Sequence, residues 1–126
     1  MPPTRRTDPR TGLAAVRRWQ AERAAGAGSD RATTATAVRF LLEELAERAP
    51  GHTLEVRVPP FGVTQCLQGP RHTRGTPPNV IETDAATWLA LATGELAWEQ
   101  AAASGTVRAS GERADLSQLL PLIGSG

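Results

Sequence analysis

The sequence predicts an α+β domain in which helices pack on a mostly antiparallel sheet. Two periodicities carry that expectation. Apolar residues recur at helical spacing over 31–49, and strict alternation over 54–58 resumes after Pro59-Pro60. The third observation is the order of elements. Strands joined as a hairpin are followed by helices and further strands, which suits an α+β layer. A chain of 126 residues allows one domain with one modest core.

The elements follow in order. Residues 1–9 are rich in Pro, Thr and Arg and are expected to be disordered. A helix is predicted over 11–25, with Leu13, Val16, Trp19 and Gln20 in one arc and Arg opposite. The small-residue stretch 24–30 reads as a linker, so 1–30 form a basic arm and the domain runs from 31 to 126. In the helix 31–49, Val38, Leu41, Leu42, Leu45 and Ala49 make the apolar stripe, Glu44 and Arg48 are an i, i+4 pair, and Pro50-Gly51 ends it. Phe40 lies off that stripe, near Glu43 and Glu47 on the polar side. It therefore calls for a cover, and helix 11–25 is expected to dock there, within the chain or across a dimer.

Leu54, Val56 and Val58 alternate with Glu55 and Arg57 in a half-buried strand. Pro59-Pro60 stops it, since neither residue has an N–H for a ladder. Phe61, Val63, Gln65 and Leu67 alternate with Gly62, Thr64 and Cys66 as the hairpin's second strand. After the Pro- and Gly-rich loop 69–79 comes a short strand, 80–83. Asp84 is the expected N-cap of a helix bearing Trp88, Leu89 and Leu91, closed by Gly94. A helix near 95–103, a strand over 106–110 and a last helix near 114–123 complete the pattern, with Pro121 set to kink or end the last helix.

Every basic residue is Arg, and there is no Lys or Tyr. That bias suggests a GC-rich genome, most simply actinobacterial. It also excludes Schiff-base and P-loop lysine chemistry. Residues 1–31 hold seven Arg against three acids, a net of +4, while the remainder nets −3. The whole is near neutral, so nucleic acid is not expected as a partner. No apolar run approaches the ~20 residues of a membrane span, and no apolar signal core opens the chain, so no stable membrane insertion is expected. The single Cys66 has no internal disulfide partner and fits a reducing cytoplasm.

Five segments carry a resemblance: LLEELAERAPG (41–51), VRVPPFG (56–62), GPRHTRGTPPNVIETD (69–84), TWLALATGELAW (87–98) and GTVRASGERADLSQLLPL (105–122). In these words, which span about 38–122, the chain resembles a bacterial branch of the sterol-carrier-protein family, with the arm 1–30 outside the likeness. The resemblance implies about four to five strands with helices packed on one face and an apolar cavity between the layers. It implies binding of lipid-like or other apolar ligands, and it supplies neither a catalytic triad nor a metal site. Some relatives are fused to thiol-dependent isomerase domains, which this length leaves no room for.

Phe61, Val63, Trp88, Leu91, Trp98, Val107, Leu116, Leu119 and Leu120 are the candidate ligand lining; the alternative is an ordinary core. Arg71, His72 and Arg74 form the densest polar cluster. They could hold a carboxylate or phosphate head group through bidentate Arg contacts, or brace the loop by pairing with Glu82 or Asp84. His52 and His72 lack a second ligand at metal spacing, as does Cys66, so neither a metal nor another cofactor is expected. Cys66 lies mid-strand and reads as a small buried residue rather than a nucleophile. The expected function is a soluble, non-catalytic carrier of an apolar small molecule or lipid. The alternatives are a protein-interaction module with a filled core, or an accessory domain of a small-molecule enzyme system. A homodimer is left open.

Overall fold

The computed structural model describes residues 6–69 and 79–124. The elements are α1 (Pro9–Ala24), α2 (Arg31–Arg48), β1 (Leu54–Val58), β2 (Gly62–Cys66), β3 (Asn79–Thr83), α3 (Ala85–Ala92), α4 (Trp98–Ser104) and β4 (Val107–Ser110). The four strands form one open sheet in the order β2-β1-β3-β4. The outer pairings, β1 with β2 and β3 with β4, are antiparallel, and the central β1–β3 pair is parallel.

Three helices begin on the same device. Asp8, Asp30 and Asp84 each accept a hydrogen bond from the backbone N–H three residues on, at Thr11, Thr33 and Thr87. This satisfies one of the amides that every helix start leaves without an internal partner. The Thr33 amide and hydroxyl, with Arg18 further off, hold the Asp30 carboxyl below the usual carboxylate range.

Strand parity decides which side chains enter the core. Val58 pairs with Gly62 across the turn Pro59-Pro60-Phe61, closed by Phe61 N–H to Val58 O at 2.9 Å. A three-residue turn places Val58, Val56 and Leu54 on the same face as Gly62, Thr64 and Cys66. Through the other pairings, Ile81, Thr83 and Val107 join that face, which is buried under the helices. The opposite face presents Glu55, Arg57, Val63, Glu82 and Arg108. Val63 and Gln65 are thus on the outer side, and Cys66 is the buried member of β2.

Helix α2 runs through the core, with Val38, Leu41, Leu42 and Leu45 buried. Helix α1 lies against α2 in the same chain, as the stranded Phe40 requires. Gly12 of α1 sits over the Phe40 ring, and Val16 and Trp19 join the common apolar cluster. The buried stripe of α1 is Gly12, Val16 and Trp19; Leu13, expected in the arc, lies one position off this stripe and is 39% exposed. Polar contacts frame the rim. Glu43 accepts from the N–H groups of Arg6 and Thr7, Arg17 donates to Gly124 O, and Arg23 pairs with Glu95 while stacking on Trp19. Arg6 and Thr7, expected to be disordered, are held by the bonds to Glu43, and Asp8 by its cap on α1.

The expected last helix is absent. Residues 111–123 form turns: the amides of Leu119 and Leu120 both reach Leu116 O, and the repeat stops there. Pro121 has no N–H to continue it. The amides of Leu122 and Ile123 instead donate across to Ala92 O at 2.8 and 3.1 Å, stitching the C-terminal segment to the end of α3.

Candidate ligand-binding site

Helix α3 supplies the centre of the candidate lining. Its sequence, Ala-Ala-Thr-Trp-Leu-Ala-Leu-Ala, has no polar stripe beyond Thr87, so it is buried from Trp88 to Ala92. The indole N–H of the fully buried Trp88 donates to Val38 O on α2 at 3.3 Å, so its one polar atom is satisfied without a ligand. Leu91, Val107 and Leu116 are buried in the same cluster. Phe61, Trp98, Leu119 and Leu120 are half-buried and pack against it from the margin. Arg39 donates to Phe61 O at 2.9 Å, and the guanidinium of Arg31 lies 5.2 Å from the Phe61 ring centroid.

Eight of the nine residues expected in the lining therefore converge on one apolar region between helices and sheet. Val63 does not join them. It stands 60% exposed on the outer face, because the three-residue turn reverses the parity that simple alternation from Phe61 suggests. Arg71, His72 and Arg74 lie outside the described residues. Cys66 is buried beneath the helices, and burial pushes its thiol up to about 11, so it is a protonated thiol at neutral pH.

Sequence reasoning anticipated that α1 docks on α2, but it did not place α1 beside the candidate lining. Val16 and Trp19 are in the same cluster as Trp88, and Trp19 is covered by Arg23. Val16 and Trp19 belong to the expected arc; Gly12 is the unexpected member of the buried stripe, because a glycine does not register as apolar. Leu122, buried against α3 by the crossing bonds to Ala92, was hidden by the expectation of a helix.

The buried polar side chains among the described residues are Thr53, Thr83 and Thr93, none of them charged. Among the described residues, no helix is long and apolar enough to cross a membrane. Residues 30–122 match the model of a family described as bacterial SCP ortholog, SCP denoting sterol carrier protein. No curated protein matches the chain.

Proposed function

The chain belongs to the bacterial sterol-carrier-protein orthologs, and from that premise we propose that it binds or carries lipid-like or other apolar small molecules without catalysing a reaction on them. The observation that carries this reading is the apolar region between sheet and helices, with Trp88 and Leu91 inside it and Phe61, Trp98, Leu119 and Leu120 half-buried at its margin. Affinity comes from apolar area removed from water, ~25 cal/mol per Å², less the cost of association. Arg71, His72 and Arg74 orient the polar end of the ligand by charge-assisted hydrogen bonds. The protein works in the cytoplasm, where Cys66 stays reduced.

A second reading has its own support. Trp88, Leu89, Leu91 and Leu116 are essentially inaccessible to solvent, the packing of a core filled by its own side chains. That favours a protein-interaction module. Native mass spectrometry of the purified protein, with titration of a fluorescent fatty acid, separates the two. The carrier reading expects a co-purified or saturably bound apolar molecule, weakened by Leu120→Asp with the fold retained. An empty protein that takes up no fatty acid at any concentration below its micelle point would leave the interaction module standing.

A further inference from the structure

The outer face of the sheet, remote from the apolar region, carries two adjoining concavities. One is an open depression of about 340 Å³ lined by Pro59, Glu82, Thr83, Asp84, Gly105, Thr106 and Arg108. The other is shallower, about 440 Å³, and includes Glu55, Arg57, Pro59, Pro60, Val63 and Glu82. Pro59 and Glu82 line both, so the two are lobes of one trough. Its position follows from the register. Arg57, Glu82 and Arg108 are successive cross-strand partners on β1, β3 and β4, all pointing away from the helices.

The polar groups of the trough divide into committed and uncommitted ones. Arg57 is paired with Glu55. Asp84 caps α3 by accepting from the amide and hydroxyl of Thr87. The hydroxyl of Thr83 donates to Thr106 O, and that of Thr106 to Ala101 O. Two charged groups remain: the half-buried Glu82 carboxylate and the Arg108 guanidinium. They are direct cross-strand partners, yet they form no ion pair with each other or with any other described residue. One wall of the 340 Å³ lobe thus holds an acceptor and a donor of opposite charge, both available.

We propose that this trough is a binding site for a small zwitterion of the α-amino-acid type. The ligand's ammonium donates to Glu82 and its carboxylate accepts from Arg108, whose planar fork suits two parallel bonds. An apolar side group lies in the second lobe against Pro59, Pro60 and Val63, whose 60% exposure it reduces. Volumes of a few hundred Å³ are those of small-molecule sites. The trough is open, so affinity is modest, on the order of a millimolar dissociation constant.

The test uses leucine as the probe against the full chain, followed by amide chemical shifts. Saturable shifts are expected at residues 80–83 and 105–108. N-acetyl-leucine lacks the ammonium and leucinamide lacks the carboxylate, and each should bind about tenfold more weakly or not at all. Glu82→Gln and Arg108→Gln should each weaken leucine by a similar factor, with the melting temperature unchanged because neither group has an ion-pair partner among the described residues. The proposal is overturned if leucine gives no saturable shifts at tens of millimolar, if the two neutralised analogues bind as well as leucine, or if both variants bind as the parent does. A variant that failed to fold would be replaced by Val63→Asp, which leaves both charges in place and should selectively weaken leucine relative to glycine.

Discussion

The ring of Phe40 occupies the space that a side chain on Gly12 would need. A Cβ built on Gly12 falls 2.7 Å from Phe40 Cβ and closer still to the ring carbons Cγ and Cδ1. The close approach of α1 and α2 therefore depends on the absence of one methyl group. It also places Phe40, an apolar residue on an otherwise charged stretch of α2, 5% exposed and inside the shared cluster.

Gly12→Ala should consequently destabilise the protein. Helix propensity alone favours Ala by about 1 kcal/mol in a helix interior. The clash opposes it, and it falls on the root of a ring that cannot swing aside, a form of overpacking that costs about 1–3 kcal/mol. The net expected change is a loss of up to about 2 kcal/mol in chemical denaturation. Gly12→Ala combined with Phe40→Leu should recover part of it. A more stable Gly12→Ala variant would show that the helices can separate without penalty.

Removing residues 1–27 should cost at least as much. The truncation strips Val16 and Trp19 from the cluster and uncovers Phe40, although the matched family segment begins only at residue 30. Loss of a buried aromatic alone costs about 3–5 kcal/mol. The expected outcome is a large fall in melting temperature with dye binding to the exposed surface of α2. Unchanged melting would mean that α1 contributes nothing to the fold it covers.

These helices show how far the sequence could be read. The period of α2 and the alternation of β1 were legible because each has a single buried face, and Asp84 announced α3 by type. The Asp-x-x-Thr start repeats at Asp30, just before the expected helix at 31, and at Asp8, where it could have moved the expected start of the first helix back from 11. The C-terminal segment misled because Leu116, Leu119, Leu120 and Ile123 have helical spacing, while the bonds that shape it run to Ala92, thirty residues earlier. Such long-range hydrogen bonds leave no periodic trace. The outer trough was invisible for the same reason. Glu82 and Arg108 become neighbours only through strand register, which the spacing of charges along the chain does not reveal.

Trp88→Phe should separate the packing role of this side chain from its polar one. The substitution deletes the N–H that reaches Val38 O at 3.3 Å and leaves that carbonyl without this donor in a buried setting. A loss of about 2 kcal/mol is expected from the smaller ring and the missing bond together. Because Trp88 is fully buried, its removal should also shift the protein's fluorescence to longer wavelength, leaving Trp19 and the half-buried Trp98. A variant as stable as the parent would place the indole in a site with slack.

Alkaline unfolding offers a test confined to one atom. Burial raises the Cys66 thiol from an ordinary value of 9.0 to about 11. The folded state therefore favours the protonated thiol more than the unfolded chain does. Its contribution is complete below pH 9 and is lost as pH rises towards 11, because the unfolded chain ionises first. Two pH units of separation correspond to something on the order of 2 kcal/mol. In most proteins Lys and Tyr titrate over the same range and obscure such a slope. Here neither residue occurs, Arg stays charged, and the terminal amine has already lost its proton. Denaturation measured at intervals between pH 8.5 and pH 11 (roughly the span set by the two thiol values) should show stability falling with a slope approaching one proton. Cys66→Ala should remove the slope while lowering stability little, since a small apolar residue replaces another small one in the core. Equal slopes in the parent and Cys66→Ala would show that the thiol ionises without opening the fold.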